Sequence, residues 1–525
     1  MTRKNAQYFT TRILAILFGG TAAFIMIVNL LKSRFINVLV NFHHLDTLLP
    51  NPVMMLLGVV VIVVLYLLLR NTGQRTQRRL SERGILLLAG GLFFCIQMYL
   101  IYNYCFKSGW DVQIVFDTAQ RIADGKKVFP STWYFSTHPN NLFLTHIFAF
   151  ILWITKPLHL GSFDFLAIVA VQSMLCVLTG WMVYQIIVGQ FHRRGLAWVG
   201  MTLYLLLVGL SPWTSIPYSD AWALCFTTAV LWTATCSPLK EKPFLRWFLT
   251  ATLAYLGFKI KPQVIFVFAS VVLTDVLRFI LRKERQPMDR KFWLGSPLGT
   301  CLGLVAAFSL VLIITCTSPV KIRHNPRYGA AHYLMMGMSQ LSIGGYCLDD
   351  VVFSHQFKTP RERNKANRQE AKRRIHEMGP RMFGYLICEK TLINYFDGTF
   401  NWGKEGEFYK TLFPERNRHL SPFLRNLYYN HDIQGAYHPY WCTAATTIWL
   451  GVLALMLFAA FGQQNRFTAI LMMTVLLLTL FEMLFEARSR YLYPFIPFYI
   501  LLAIKGLQEL ELIVTFLRQK MRKSA

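Results

Sequence analysis

Long uncharged runs of apolar residues, separated by short basic clusters, constrain this chain more than any other feature. The runs 53–69, 165–188 and 298–317 contain no charged side chain. A helix must cross roughly 30 Å of hydrocarbon to span a bilayer, so runs of about 18 or more apolar residues are typical of transmembrane helices. Because 54% of the residues are apolar and only 15% are charged, the sequence predicts an all-α polytopic membrane protein.

The net charge and the cysteines take their meaning from the predicted membrane location of the chain. In a soluble protein, a formal charge of +28 would suggest nucleic acid as the partner. Here the basic residues cluster between apolar runs, where they orient a membrane protein and contact anionic lipids. Membrane lipids are therefore expected as partners, and nucleic acid is not. The ten cysteines show no metal-binding spacing, although Cys347 and Cys388 share one long loop and could form a disulfide.

The basic loop 70–84 orients the chain. It carries five Arg against one Glu and is the strongest cytoplasmic marker. Alternating crossings from this anchor also place 189–195, 237–246, 281–291 and the C-terminal tail on the cytoplasmic side. The count predicts twelve crossings and two cytoplasmic termini in the cell membrane. The predicted spans lie near 11–31, 53–69, 85–106, 165–188, 196–212, 219–236, 245–258, 262–281, 296–317, 441–461, 467–485 and 490–509.

Two apolar segments need separate interpretation. Residues 11–31 follow a basic N-terminus, as in a signal peptide, but no small-residue cleavage site follows, so an uncleaved span is expected. A membrane crossing by residues 141–157 would be one more than the basic loops allow. This segment is short and is bounded by Pro139 and Pro157, so we expect a helix on the outer membrane surface.

The spans divide the chain into four parts. Residues 1–84 form two transmembrane helices and a basic loop, and 85–317 form a transmembrane core with a first outer loop, 107–164. Residues 318–440 form a large extracytoplasmic region with 18 Lys and Arg against 11 Asp and Glu, and 441–525 return the chain through the membrane.

One helix is predicted inside the large extracytoplasmic region. Thr359 and Glu362 form a capping-box pattern with Pro360 at the first helical position, and Gly379-Pro380 ends the helix. Because its residues are polar nearly all round, we expect a solvated surface helix.

Three acidic side chains follow or begin spans at the predicted outer face. Asp111 lies just beyond the span 85–106, where a carboxylate could accept a proton from an incoming hydroxyl group. It could equally cap the next helix. Asp117 follows six residues later. Asp220 begins a span, where the helix dipole stabilises it but membrane depth makes a charge costly.

Polar and aromatic residues alternate in the segment 133–148. Tyr134, Asn140 and Asn141 suit a polar ligand with apolar rims, such as a sugar. An interfacial aromatic belt with a turn is the alternative interpretation. His138 has no second metal ligand at useful spacing.

Basic side chains also gather at the predicted outer face. Lys259 and Lys261 flank the end of a short span, where they could bind a phosphate or extend to lipid phosphates. Arg488 and Arg490 lie in a late loop, and guanidinium groups bind phosphate oxygens bidentately. Glu482 and Glu486 could be their ion-pair partners.

The order of these segments resembles the GT-C superfamily of membrane glycosyltransferases, which includes the protein O-mannosyltransferases and the bacterial aminoarabinose transferase. The resemblance rests on Gly109-Trp110-Asp111, Tyr134 to Asn141, Lys261-Pro262-Gln263, and Glu486 to Pro494. It covers the chain loosely from about residue 85 to 510. Val112 follows Asp111 where the protein mannosyltransferases have an acid, so a protein acceptor is less expected than an envelope glycan or teichoic acid.

The resemblance implies a polyprenyl-phosphate sugar as donor, a surface helix in the first outer loop, and an extracytoplasmic active site. Asp111 would be the general base of an inverting transfer. No cofactor is implied, and whether a divalent cation assists stays open. The implied substrate-binding residues are Asp117, Tyr134, Asn140, Asn141, Asp220, Lys259, Lys261, Arg488, Arg490 and Tyr491.

Two other functions stay open from the residues alone. A lipid-linked sugar flippase or another transporter would also present charged groups to a lipid substrate. Transporters, however, tend to place such groups near the bilayer midplane, whereas these lie mostly at span ends. A polysaccharide polymerase or ligase that uses a lipid-diphosphate donor would suit the same cations.

Overall fold

The computed structural model describes residues 3–35, 47–70, 82–128, 132–236, 238–239, 241–280, 290–322, 327–430 and 433–524. Most residues of the predicted cytoplasmic markers 70–84 and 281–291 lie outside these residues. The described chain is mostly helical. Its helices are α1 Arg3–Leu30, α2 Asn51–Leu69, α3 Glu82–Tyr104, α4 Trp110–Ala123, α5 Thr132–Thr137, α6 Asn141–Thr155, α7 Phe165–Phe191, α8 Arg194–Tyr204, α9 Ser219–Thr235, α10 Pro243–Ile260, α11 Ile265–Ile280, α12 Arg290–Cys316, α13 Ala330–Gly337, α14 Leu348–His355, α15 Pro360–Tyr395, α16 Leu420–Tyr428, α17 His438–Leu457, α18 Arg466–Leu484 and α19 Ile496–Ser524.

Nine helical segments within the described residues are long and apolar enough to cross a membrane. They confirm an all-α polytopic membrane protein. Eight of them coincide with predicted spans. The ninth, Asn141–Leu158, is the predicted surface helix, so length and composition alone do not distinguish a surface helix from a crossing there. The segments are Thr11–Leu30, Asn51–Leu69, Gly84–Tyr104, Asn141–Leu158, Gly161–Phe191, Pro262–Ile280, Leu294–Cys316, His438–Ala460 and Arg466–Leu484.

The core of the bundle lies around α19, which packs against α8, α17 and α18. Trp449 of α17 is fully buried and donates a hydrogen bond to the Tyr395 carbonyl at 2.9 Å. α2 approaches α17 so closely that a Cβ at Gly58 would lie 2.1 Å from the Thr447 carbonyl oxygen. Close helix contacts through small residues are typical of membrane bundles. By contrast, α12 exposes large apolar side chains such as Leu294 and Ile313, as expected for a helix that faces lipid.

The region 327–430 is folded against one end of this bundle. Its two-residue strand β2, Thr411–Leu412, pairs antiparallel with β1, Phe106–Lys107, which directly follows α3. This pairing joins the large region to the segment that leads into Asp111. Cys347 and Cys388 are both free thiols.

The predicted helix in this region forms, with one correction. The Thr359 side chain accepts a hydrogen bond from the Glu362 backbone N–H, and the capping box is complete. The backbone breaks at Gly379, where φ is 62°, and the helix then continues to Tyr395. The prediction of a solvated helix is wrong along one face, because Arg363 and Asn367 are buried. The Arg363 guanidinium binds carbonyl groups of its neighbours, which satisfies the buried charge.

Candidate functional site

The backbone around Asp111 is fixed by a close approach to the loop 401–407. The Gly109 N–H donates to the Glu407 carbonyl oxygen at 2.9 Å. A Cβ at Gly109 would lie 2.7 Å from atoms of Glu407, so this position requires glycine. Trp110 follows with φ of 43° in the left-handed region, and Asp111 then lies in the first turn of α4. The Gly-Trp-Asp segment thus presents Asp111 at a helix start, where the helix dipole stabilises negative charge.

A hydrogen-bonded cluster surrounds the Asp111 carboxylate. The Tyr218 hydroxyl donates to Asp111 Oδ2 at 2.9 Å. Asn141 Nδ2 donates to the hydroxyls of Tyr218, at 3.2 Å, and Tyr134, at 2.6 Å. Asn140 Nδ2 donates to Asn141 Oδ1 at 3.0 Å. Four predicted site residues therefore meet, and Tyr218 connects them.

Both tyrosines of this cluster stay protonated. Burial raises the pKa of Tyr134 and Tyr218 well above the usual range, and the nearby charge of Asp111 raises both further. A buried neutral phenol can donate a hydrogen bond to a carboxylate but cannot remove a proton near neutral pH. Asp111 is therefore the candidate base among these three groups.

Arg490 lies beside this cluster with unused hydrogen-bond donors. Its side chain is 9% exposed, and its guanidinium lies 4.6 Å from the Trp110 ring centroid and 5.7 Å from that of Tyr218. Its Nε is 3.4 Å from Glu405. Nε and Nη1 have no hydrogen-bond partner among the described residues. Buried donors are almost always satisfied, so such a group is unusual and points to a ligand or a catalytic role.

Arg488, Glu405, Glu486 and Tyr491 extend the charged cluster. Arg488 donates to Glu405 at 2.7 Å and to Glu486 at 3.0 Å. The Tyr491 hydroxyl donates to Glu486 at 3.2 Å. Burial alone would raise the pKa of Glu405, but the charges of Arg490 and Arg488 outweigh burial and hold it below the usual range. Glu405 is thus an ionised carboxylate shared by two arginines.

Lys261 and Asp220 form a buried ion pair next to the arginines. Lys261 Nζ is 2.5 Å from Asp220 Oδ1, and both side chains are almost fully buried. The same ammonium group lies 4.5 Å from the centroid of the Tyr491 ring. Asp220 Oδ2 has no hydrogen-bond partner among the described residues. Lys261 therefore belongs to the cluster of Arg490 and Tyr491.

Two predicted site residues lie outside this cluster. Asp117 is exposed, since six residues rotate a helix by about 240° from Asp111. Lys259 is half-buried, and its ammonium group lies over the rings of Tyr255 and Phe258 at 5.5 and 5.9 Å. Neither contacts the groups around Asp111 or Arg490 through a described hydrogen bond or ion pair.

A cavity of about 630 Å³ opens beside the charged cluster. Its walls are the segments 341–346, 401–406 and 487–488, with Ile393 and Asn430. Glu405 and Arg488 both line this cavity. They contact each other, and Glu405 also contacts Arg490. The size of the cavity lies within the range of small-molecule sites. Among the residues that the structure describes, no group of three or more His, Cys, Asp or Glu could hold a metal ion.

Sequence reasoning missed Tyr218 and Glu405, for different reasons. Tyr218 stands two residues before Asp220 in a segment already rich in candidates, so its proximity to an acid at a span end was a usable signal. Glu405 comes from a loop 83 residues before Arg488 in the chain. No local pattern indicates that pairing, which depends on the tertiary fold.

The fold and this cluster define a class of protein. It is a multi-pass helical membrane protein with a buried acid, arginine and tyrosine cluster at the end of the bundle that carries residues 327–430. The model of a family described as conserved hypothetical integral membrane proteins matches residues 6–509, and the chain belongs to that family. Comparison with curated proteins and with solved structures gave no match.

Proposed function

We propose that the chain is a glycosyltransferase that moves a sugar from a polyprenyl-phosphate donor to a cell-envelope acceptor. One observation supports this most directly. Tyr218 contacts both a carboxylate and a buried arginine: its hydroxyl donates to Asp111, and its ring lies beneath Arg490. Group transfer from a lipid phosphate needs a base for the acceptor and a cation for the leaving phosphate, close to one another.

Asp111 is the general base in this proposal. Its carboxylate takes the proton of the acceptor hydroxyl as the acceptor oxygen forms a bond to the anomeric carbon. The bond between that carbon and the phosphate oxygen breaks, and its electron pair remains on the lipid phosphate. A single displacement of this kind inverts the anomeric configuration. Because a lipid phosphate is already a good leaving group, no strong general acid is required.

Arg490 is the principal phosphate-binding residue in this proposal. Nη1 is the donor available to phosphate oxygens, since Nε already faces Glu405 at 3.4 Å, and charge-assisted hydrogen bonds of this type are strong. Lys261 and Arg488 are already paired with carboxylates, so they add positive potential and hold Tyr491 and Glu405 in place. Asp117 and Lys259 have no part in the mechanism.

The cavity beside Arg488 is the proposed acceptor site. Asn401, Lys404 and Ser342 supply polar groups to its wall, and Tyr346 supplies an aromatic face. Such a lining suits a hydrophilic acceptor such as a glycan or teichoic acid. The proposal also places this end of the bundle outside the cell, with twelve crossings and both termini in the cytoplasm.

The test is transfer by the purified full-length protein in detergent. Labelled polyprenyl-phosphate mannose, glucose and aminoarabinose are incubated with extracted envelope glycans. We expect label in the glycan fraction and release of an equal amount of polyprenyl phosphate. If no donor is cleaved but the protein moves intact donor from one leaflet of a liposome membrane to the other, the chain is a flippase. Transfer only from a lipid-diphosphate donor would instead identify a polymerase or ligase.

A further inference from the structure

A second cavity, of about 320 Å³, lies between α1, α11 and α18. It is remote from the candidate site, because it lies at the opposite ends of α11 and α18 from that site. α11 follows Lys261, and α18 leads to Arg488, whereas Arg278 and Arg466 at the opposite helix ends line this cavity. Apolar side chains of Leu14 and Met473 form part of its wall.

Polar groups without partners line the same crevice. Thr274 is 5% exposed, and its hydroxyl oxygen has no hydrogen-bond partner among the described residues. Arg278 stands one turn further along α11 and is exposed. It forms no ion pair with a residue that the structure describes. A buried hydroxyl and a nearby guanidinium, neither paired with a described residue, therefore line one space.

The charge balance around the crevice is positive. Arg466 binds both carboxylate oxygens of Asp275, at 2.5 and 2.6 Å, which neutralises one guanidinium. Arg278 and Arg466, which line the crevice, against Asp275 leave a net charge of +1 among these described residues, so the crevice favours an anionic ligand.

We propose that this crevice binds one anionic phospholipid. The phosphate would bind Arg278, a glycerol ester oxygen would accept the Thr274 hydroxyl proton, and one acyl chain would lie against Leu14 and Met473. Basic crevices between transmembrane helices are suited to anionic headgroups. The inference does not depend on the proposed transferase activity, because it concerns the opposite end of α11 and α18.

The test measures lipid retention by the full-length protein. Native mass spectrometry follows the protein in detergent with phosphatidylglycerol, phosphatidylcholine or inorganic phosphate, and melting temperature is recorded in parallel. We expect one retained phosphatidylglycerol, a higher melting temperature with that lipid alone, and about tenfold weaker retention in Arg278→Gln. Thr274→Val, which keeps the side-chain shape, should weaken retention by a smaller factor.

Arg518→Gln is the matched control, since Arg518 is an exposed arginine on the C-terminal part of α19 and does not line the crevice. It should retain phosphatidylglycerol as the unmodified chain does. Equal loss in Arg278→Gln and Arg518→Gln would overturn the site. Equal stabilisation by inorganic phosphate would overturn the assignment to a lipid.

Discussion

Tyr218 is the residue that orients the proposed base. Its hydroxyl accepts from Asn141 and donates to Asp111, so it fixes one carboxylate oxygen. Tyr218→Phe keeps the ring beneath Arg490 but removes that hydrogen bond. We expect kcat to fall by about tenfold, with little change in donor KM or melting temperature. An unchanged kcat would show that the hydroxyl does not position Asp111.

His332 makes the stability of the large region depend on pH. It is buried, and it shares a 2.7 Å hydrogen bond with Ser354. Burial lowers its pKa to about 4. An unfolded histidine has a pKa near 6.5, so the unfolded chain binds the proton more readily. Stability that is present above pH 6.5 is therefore lost as pH falls towards 4.

The size of this effect is about 3 kcal/mol across that interval. His332→Asn should flatten the dependence, because the amide does not titrate. Melting temperatures of both chains at pH 7 and pH 4.5 measure it. A parallel decrease in the two chains would show that other groups control acid stability.

Part of the site was predictable at the residue scale. Asp111, Asn141, Lys261 and Arg490 lie together, as expected from their shared position at the predicted outer face. Asp117 lies outside the site because helical periodicity places it on a different face of α4 from Asp111. Glu405 could not be inferred, since its pairing with Arg488 and Arg490 depends on how a loop folds back.

At the element scale, Gly109 holds the start of α4 against the loop that carries Glu405. Gly109→Ala would place a Cβ 2.7 Å from Glu407. We expect this overlap to destabilise the protein by about 1–3 kcal/mol and to reduce transfer by displacing Asp111. Thermal unfolding and the transfer assay measure the two effects.

Gly91→Ala is the control for that substitution. A Cβ at Gly91, inside α3, would meet nothing within 4 Å. It should be neutral or slightly stabilising, because alanine favours helix. If both variants behave alike, the close approach at Gly109 does not support the site.

In the large region, local sequence signals predicted where the helix begins and breaks better than they predicted which side chains are buried. The capping box at Thr359 and the break at Gly379 both form, because each depends on a few neighbouring residues. The burial of Arg363 was not predicted, since it depends on carbonyl groups supplied by Arg327, Ser354 and Phe357.

At the scale of the whole molecule, criteria of length and hydropathy leave out some helices that lie inside the bundle. α9 and α19 lie near predicted spans but are not among the nine candidate segments of the described residues. α9 has 17 residues, which is short for a span, and carries Asp220 in its first turn, whereas α19 carries the Lys505–Glu509 ion pair. A helix surrounded by other helices can be short or hold paired polar groups, so thresholds on length and charge leave it out.

The predicted topology can be measured by labelling. Glu415→Cys, in the exposed 411–416 segment, should react with a membrane-impermeant maleimide in intact cells. Gln519→Cys, near the C-terminus, should react only after permeabilisation. Labelling above that of the unmodified chain is the readout. The reverse pattern would place the candidate site on the cytoplasmic side.

The central claim is that Asp111 removes the acceptor proton. Asp111→Asn preserves an oxygen for the Tyr218 hydrogen bond but abolishes the base. Asp117→Asn makes the same change on the exposed face of the same helix. Transfer from labelled polyprenyl-phosphate sugar should fall by about 10²–10⁴-fold in Asp111→Asn and stay unchanged in Asp117→Asn. Normal turnover by Asp111→Asn would contradict the account.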